Sequence, residues 1–305
     1  MEGPVKDPLD ALDKSADDAV LAVIIGVSGP SYRPIGAMMA IFQDGSRVST
    51  LSSGCIESDL VLHAIQALKD GKPSRVVYGQ GSPFMDIKLP CGGGLEILLL
   101  PRPDRKVLAE LAGIRAERRA VTLNINLESG DLRVLAEGRT GYLGDGFNVR
   151  LLPEIMFHVF GKGPEASTFA SLVQSAGYPN LLLSPDPETL EFAARAGCAT
   201  RQLKQKAFPA ELRPDRWSAV ILFFHDHDWE PEILKDALTT DAFYIGAQGS
   251  QRARDARMAE IIALGVAPEE LDRLKGPIGL IPSARDARTL AVSVLAEVLS
   301  VAMWD

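Results

Sequence analysis

The chain has 305 residues, of which 46% are hydrophobic and 24% are charged, and its formal net charge at pH 7 is -8. This length leaves room for two ordinary globular domains, the composition excludes a disordered or fibrous protein, and the acidic excess argues against a nucleic-acid partner, which would require clustered Lys and Arg. No apolar run reaches the ~18 residues of a membrane helix, and the acidic, proline-broken start MEGPVKDPLD does not resemble a signal peptide, so we expect a cytoplasmic protein.

In the first half of the chain, short apolar runs alternate with turn signals, a pattern typical of strands joined by tight turns. Strands are predicted over 20–29, 37–42, 48–51, 75–78 and 95–100. Apolar residues from Ser58 to Leu68 recur at helical spacing, which predicts a helix that begins soon after Cys55. Residues 105–150 predict one more helix and the strands VTLNINL and DLRVLAEG, which we expect to complete the sheet of this domain.

In the second half, strand-like runs alternate with helical patterns. Strands are predicted at FHVFG, LLLSPD, AVILFF and DAFYIGAQG, with helices over 165–176, over 188–196 and from Glu232 onward. This alternation is typical of a parallel, doubly wound sheet, so we expect an α/β chain whose mixed α/β N-terminal domain is followed by a parallel-sheet domain. The proline at Leu152-Pro153 predicts the boundary between the two domains, which are residues 1–153 and 154–305.

A glycine turn in the second domain has the context of a nucleotide-binding motif. Gly161, Gly163 and Ala166 form GxGxxA between a predicted strand and a predicted helix, and Asp186 follows the next strand. Glycines let the backbone approach a phosphate, the helix N-terminus supplies amide donors, and the Asp186 carboxylate can accept ribose hydroxyls. The alternative is that the glycines only form a tight turn.

Two further turns follow later strands of that sheet, at the edge where ligands commonly collect. His225-Asp226-His227-Asp228 offers two imidazoles and two carboxylates to a divalent metal, or else forms a polar loop that lines a cleft. Gly246, Gly249 and Ser250 lead into the basic start of a helix, which suits an anion because amides and guanidinium groups both donate hydrogen bonds. The alternative there is a plain strand-to-helix connection with solvated arginines.

The chain has 3 cysteines, an odd number that does not make a disulfide framework. Cys55 and Cys91 are flanked by glycine, so a bulky partner can reach the sulfur. A helix N-terminus stabilises a thiolate, which is the form that binds metals or transfers sulfur. The alternative is that all three are small buried hydrophobic residues, which is our interpretation of Cys198.

Together these motifs resemble the xanthine dehydrogenase accessory factor family (XdhC/CoxI). The resemblance is carried in the first domain by residues 29–40, 44–45, 53–57 and 91–93, and in the second by residues 161–163, 225–228, 244–250, 277–280 and 291–297. Several unconnected motifs that agree in order along nearly the whole chain are more specific than any one of them.

The resemblance implies a Rossmann-type second domain and a protein that binds molybdenum cofactor, supports its sulfuration and delivers it to xanthine dehydrogenase or a related molybdenum hydroxylase. A cysteine desulfurase and a second copy of the chain, forming a homodimer, are further expected partners. Carried over by position, the two glycine-flanked thiols contact the cofactor and the glycine turns receive phosphate. The full predicted binding set is Cys55, Glu57, Cys91, Gly92, Gly161, Gly163, Asp186, His225, Asp226, Gly246, Gly249 and Ser250.

The chain departs from the family pattern at Pro164 and Glu165, where Glu165 places a negative charge near the path of a phosphate. Two other functions therefore stay open from the sequence. An oxidoreductase that uses NAD(P) would explain GxGxxA with Asp186, although no hydride acceptor or acid–base pair is identified. A metal-dependent hydrolase would use His225 and His227.

Overall fold

A computed structural model describes residues 7–79 and 92–302 of the chain. The chain divides into two compact units, Met1–Pro153 and Glu154–Asp305. Each hydrophobic core cluster draws its residues from one unit alone. Within the described residues, none of the helices combines the length and the apolar character needed to cross a membrane.

Five strands form the main sheet of the first unit: β1 Ala19–Ser28, β2 Met38–Phe42, β3 Arg47–Val48, β4 Ser74–Gly79 and β5 Gly94–Pro101. Their order is β3-β2-β1-β5-β4, and neighbouring strands are antiparallel. Successive side chains of the central strand β1 enter different core clusters, Val20 on one face and Leu21 on the other. Burial on both faces explains why this strand is a continuous apolar run in the sequence.

The strand predicted over 48–51 is wrong in its extent, because β3 ends at Val48. Ser49 has a φ of 76°, in the left-handed region, and a residue in that conformation does not continue a strand. The chain therefore leaves the sheet at Ser49 and enters the loop that leads to Cys55.

The two strands predicted after residue 120 form, as β6 and β7, but they do not complete the first sheet. β6 Val121–Asn126 and β7 Leu132–Leu135 join two strands that were not predicted, β8 Gly141–Leu143 and β9 Gly146–Leu151. The four make a separate antiparallel sheet in the order β7-β6-β9-β8. Leu123 and Phe147 share a core cluster with Leu21 and Leu98 of the first sheet. The two sheets therefore meet through their apolar faces, because strand alternation specifies an apolar face without specifying the neighbouring strand.

The described helices of the first unit are α1 Pro8–Lys14, α2 Glu57–Asp70 and α3 Arg105–Ala116. Helix α2 confirms the helix predicted between Ser58 and Leu68. Leu60, Ala64 and Leu68 form its buried face. The helix ends at Gly71, whose φ of 64° is the left-handed conformation that glycine adopts at a helix C-terminus without strain.

The second unit contains the predicted parallel sheet, formed by β10 Met156–Gly161, β11 Asn180–Ser184, β12 Ala199–Gln202, β13 Ser218–Phe223, β14 Tyr244–Ala247 and β15 Leu274–Lys275. Its order is β12-β11-β10-β13-β14-β15, and all neighbouring strands are parallel. This is the strand order typical of doubly wound dinucleotide-binding folds, with the reversal of chain direction across the sheet between β10 and β13. The carboxyl ends of these two strands therefore lie side by side.

Helices cover both faces of the parallel sheet. They are α4 Pro164–Ser175, α5 Pro187–Arg195, α6 Glu230–Leu238, α7 Gln251–Ala263 and α8 Ala287–Ala302. Helices α4, α5 and α8 contribute to one core cluster, while α6 and α7 contribute to the other. Helix α6 begins at Glu230, two residues before the predicted start at Glu232, so Glu230 is the first residue of the helix.

Candidate functional site

The loop that carries Cys55 connects β3 to α2 in the first unit. Cys55 is exposed and lies just before the N-terminus of α2, as predicted. Ser53 and Gly54 have φ values of 61° and 104°, so the backbone before the thiol is held in a conformation that costs Ser53 free energy. A Cβ on Gly54 would meet nothing within 4 Å, which leaves open space beside the cysteine.

Glu57, the first residue of α2, holds this loop from the interior of the unit. It is 1% exposed, and its carboxylate accepts hydrogen bonds from the hydroxyls of Thr50 and Ser52 and from the amides of Leu51 (3.0 Å), Ser52 (2.8 Å), Gly54 (2.9 Å) and Ile56 (3.2 Å). Burial raises the pKa of this carboxyl, but hydrogen bonds from Thr50 and Ser52 outweigh burial and lower the pKa to about 2. The carboxylate is thus committed to the loop, so Glu57 acts on a ligand through the position of Cys55.

The other two cysteines differ from Cys55. Cys198 is buried, and burial raises the pKa of its thiol, which confirms its interpretation as a packing residue. Cys91 lies outside the described residues. Gly92, which follows it, has a φ of 71°, and a Cβ there would meet nothing within 4 Å. A Cβ on Gly93 would lie 2.1 Å from the carbonyl oxygen of Pro30, so this glycine lets the approach to β5 contact the loop after β1.

In the second unit, the GxGxxA turn is tightly packed. A Cβ on Gly161 would lie 2.5 Å from the carbonyl oxygen of Phe223 and 2.8 Å from Cβ of Ala166, so glycine is required for close contact between β10, β13 and α4. The amide of Gly163 donates to Oγ1 of Thr189 at 2.9 Å. One of the amides expected to receive a phosphate is therefore already paired within the protein.

Asp186 is the N-cap of α5, and its Oδ2 accepts hydrogen bonds from the amide (2.9 Å) and the hydroxyl of Thr189. The hydrogen bond from the Thr189 hydroxyl contributes most to lowering the pKa of this carboxyl. Asp186 also lines a cavity of about 420 Å³ with Lys162, Gly163, His225 and Asp226. We call this the Asp186 cavity; it lies at the carboxyl edge where the sequence predicted a ligand.

The His225-Asp226 segment follows β13 directly. His225 is exposed, and its Nε2 lies 3.3 Å from Oε2 of Glu165, an ion-pair distance without good hydrogen-bond geometry. Asp226 caps the short 3-10 turn 227–229 by accepting from the amide of Asp228 at 3.2 Å. In the part of the chain that the structure describes, no group of three or more His, Cys, Asp or Glu could hold a metal ion.

The turn after β14 brings its residues to a second cavity, of about 440 Å³, which we call the Ser250 cavity. Gly249 and Ser250 line it together with His225, His227 and Glu165. Ser250 is the N-cap of α7 and accepts from the amide of Ala253 at 3.2 Å. Gly246 does not line either cavity among the described residues; a Cβ there would lie 2.7 Å from Cγ2 of Ile278, so it is a packing glycine.

Sequence reasoning missed two residues beside the Ser250 cavity, Glu230 and Arg257. Both are buried, and Oε2 of Glu230 lies 2.7 Å from Nε of Arg257 and 2.9 Å from Nδ1 of His227. The available signal was an acidic residue at i+3 from a histidine at a helix start. The contact between Glu230 and His227 was not predicted because the predicted helix began at Glu232. Arg257 lies in a separate helix, α7, so no local pattern connects it with Glu230.

Comparison with known proteins gives matches in both units. Residues 157–298 match the family model described as the XdhC Rossmann domain, and residues 12–79 match the model described as the XdhC and CoxI family. The Cys55 loop lies within the second match, and both cavities of the parallel sheet draw their residues from the first.

Whole-chain relatives agree with these matches. The chain is 33% identical to the molybdenum cofactor insertion chaperone PaoD of Escherichia coli (strain K12), over 94% of this chain and 84% of that protein. It is 25% identical to a probable xanthine dehydrogenase subunit of Bacillus subtilis (strain 168), over 95% of each. A crystal structure described as a xanthine dehydrogenase from Bacillus halodurans has a TM-score of 0.77 at 23% identity, covering 97% of this chain and 95% of that one. At this identity the structural likeness shows the fold alone.

Proposed function

Because this chain belongs to the XdhC and CoxI family, we propose that it is an accessory protein that binds molybdenum cofactor, supports its sulfuration and delivers it to a molybdenum enzyme. The Escherichia coli relative is described as an insertion chaperone for this cofactor. The Bacillus subtilis relative is described as a probable xanthine dehydrogenase subunit, which supports xanthine dehydrogenase or a related molybdenum hydroxylase as the client.

The observation that carries this proposal is the exposed thiol of Cys55 on a preformed loop. Thiolates bind metals and transfer sulfur, and both roles require access to the sulfur. Gly54 leaves space beside the thiol, and Glu57 fixes the loop through its buried carboxylate, so a bulky ligand meets an ordered surface. Preorganisation of this kind reduces the entropy that is lost on binding. Cys91 and Gly92 are assigned to the same cofactor in this proposal.

The partners and the cellular location extend the proposal. A cysteine desulfurase would supply the sulfur, and a second copy of the chain would form a homodimer. We place the protein in the cytoplasm, where its client would acquire the cofactor. The phosphate of the cofactor is assigned to the second unit, at the glycine turns predicted from the sequence. Gly249 and Ser250 line one cavity and Gly163 lines the other, but the amide of Gly163 is already paired with Thr189.

Equilibrium binding of isolated molybdenum cofactor under anaerobic conditions tests the proposal. Wild-type protein should bind the cofactor, and Cys55→Ala and Cys91→Ala should each weaken binding about tenfold or more, which is a loss of at least ~1.4 kcal/mol. Cys198→Ala is the matched control, because this thiol is buried in the core of the second unit. Absence of cofactor binding by the wild type would contradict the proposed function, and equal binding by Cys55→Ala would contradict the role of the thiol.

An oxidoreductase that uses NAD(P) remains the second candidate, and the strand order of the parallel sheet favours it. The paired amide of Gly163 and the capping role of Asp186 count against it, because both groups are engaged within the protein. A calorimetric titration with NADH and NADPH decides the matter: saturable binding supports this candidate, and a flat titration removes it.

A further inference from the structure

Glu165 differs from the other carboxylates at the two cavities of the second unit. Its Oε2 is buried and accepts no hydrogen bond from the described residues. The other described carboxylates that line these cavities are Asp186, Asp226 and Asp286, and each accepts a hydrogen bond from a backbone amide. Those three are committed to the fold of the protein, whereas Glu165 is left for a ligand.

The buried oxygen of Glu165 has one polar neighbour, the imidazole of His225. Nε2 of His225 lies 3.3 Å from Oε2 without the geometry of a hydrogen bond, and the His225 side chain is 72% exposed. An exposed side chain moves aside at little cost in free energy. Because a buried acceptor without a donor is costly, a ligand that donates a hydrogen bond to Oε2 would gain the free energy that the protein alone leaves unrealised.

The position of Glu165 determines which kind of ligand group fits beside it. Glu165 is the second residue of α4, after Pro164, and it lines the Ser250 cavity. Its Oε2 lies 3.7 Å from the place that a Cβ on Gly163 would occupy. The protein therefore supplies its own negative charge at this helix N-terminus, where such a charge is favourable. A second anion would be repelled at this point, so the group that fits is a hydrogen-bond donor.

The Ser250 cavity also has apolar walls. Phe224, Ile278 and Leu290 line it together with Glu165, and the first two of these side chains are buried. Its volume of about 440 Å³ is that of a typical small-molecule site. A flat heterocycle fits this lining, because it buries its faces against apolar side chains and presents N–H groups at its edge to the carboxylate.

A carboxylate recognises one kind of heterocycle edge particularly well. Its two oxygens accept two parallel N–H hydrogen bonds, as they do from a guanidinium group. A pterin ring has such a pair of donors, because its 2-amino group stands beside the ring N3–H. Guanine presents the same pair, whereas lumazine, which has a carbonyl in place of the 2-amino group, presents an acceptor beside the ring N–H.

We propose that Glu165 binds the edge of a pterin ring formed by its 2-amino group and N3–H, and that it thereby selects the heterocycle that enters the Ser250 cavity. The inference rests on the proposed function, in which this ring is the pterin of the molybdenum cofactor. The phosphate of the same cofactor is assigned to the glycine turns. The turn at Gly249 and Ser250 precedes α7, which covers the opposite face of the sheet from α4. The two ends of the ligand thus contact separate elements.

Equilibrium dialysis of the full chain against pterin, lumazine or guanosine tests this selection, with each ligand measured by its absorbance. The wild type should bind pterin about tenfold more tightly than lumazine, a difference of ~1.4 kcal/mol. The physical reason is that lumazine would set an acceptor against the carboxylate, and a buried polar contact of this kind discriminates strongly. Tighter binding of guanosine than of pterin would contradict the inference, because it would assign the cavity to a nucleoside.

Glu165→Gln separates this contact from a structural role. Glutamine keeps the shape of the side chain but replaces one acceptor oxygen with an amide donor. Pterin binding should therefore weaken about tenfold while lumazine binding does not, so that the preference for pterin is lost. Glu188→Gln is the matched control, because Glu188 is the second residue of α5, after Pro187, and is exposed. Glu188 is not among the described residues that line either cavity, so this variant should keep the preference.

Two results would overturn the inference: a wild type that does not prefer pterin to lumazine, and a folded Glu165→Gln that keeps the preference of the wild type. If Glu165→Gln does not fold, the wild-type ratio of the two affinities decides, since it needs no variant. Binding of intact molybdenum cofactor by a wild type without the preference leaves the proposed function standing. Selective pterin binding without binding of the intact cofactor does the reverse.

Discussion

Glu57 and Glu230 occupy the same kind of position, the first residue of a helix, and both use a buried carboxylate to hold the segment before that helix. Glu57 accepts hydrogen bonds from the loop that carries Cys55, and Glu230 binds the imidazole of His227. A negative charge at a helix N-terminus is favourable, which offsets part of the cost of burial. In both units, a residue that does not face solvent thus determines the position of one that does.

For Glu57 this arrangement predicts a dependence of stability on pH. Its pKa falls from 4.5 to about 2 in the folded protein. The lowered pKa means that the stabilisation is fully present above pH 4.5 and is lost as pH falls toward 2. At pH 7, Glu57→Gln should therefore cost about 2–3 kcal/mol locally. Amide hydrogen exchange of Leu51, Ser52 and Gly54 measures this as a fall in protection of roughly 100-fold.

The exposed Glu117→Gln, in the same unit, is the control and should leave these amides unchanged. As pH falls from 4.5 to 2, the difference between wild type and Glu57→Gln should shrink, since a protonated glutamic acid resembles glutamine. A difference that stays constant over this range would show that the carboxylate charge does not hold the loop.

For single residues, the sequence predicts placements that depend on near neighbours, but it does not predict contacts between distant elements. Cys55 before a helix and His225 after a strand could be placed from local patterns, because both depend on neighbours within a few positions. The link from His227 through Glu230 to Arg257 could not, since it joins two helices that only the packed sheet brings together. The internal hydrogen bonds of Asp186 and Gly163 depend on Thr189 in the same way.

At the scale of elements, Gly161 determines how closely α4 approaches the sheet. Its φ is not in the left-handed region, so replacement by alanine tests steric contact without backbone strain. The added Cβ would lie 2.5 Å from the Phe223 carbonyl oxygen, and backbone atoms cannot move away cheaply. Gly161→Ala should therefore destabilise the second unit by about 1–3 kcal/mol, measured by urea unfolding.

Gly113 gives the contrasting case. It lies within α3, and a Cβ there would meet nothing within 4 Å. Gly113→Ala should raise stability by roughly 0.5–1 kcal/mol, because alanine loses less backbone entropy in a helix. Equal effects of the two substitutions would mean that the close contact at Gly161 does not limit packing.

Elements were predictable to different degrees. The helix after Cys55 and the parallel strands have strong local periodicity, so their type and approximate extent follow from the sequence. The strands β8, β9, β12 and β15 were missed. Three of them, β8, β12 and β15, have four residues or fewer, and such short strands carry little pattern. The strands after residue 120 were identified but given the wrong sheet, because an alternating pattern does not specify a partner.

At the scale of the whole molecule, the two units have separate cores, and the two family models match one unit each. The proposed thiol contact lies in the first unit, whereas His227, Glu230 and Arg257 all lie in the second. Because each core cluster is complete within its unit, a fragment of residues 154–305 should fold alone. It should unfold in a single cooperative transition in urea. A fragment that lacks a cooperative transition would show that the second unit depends on the first.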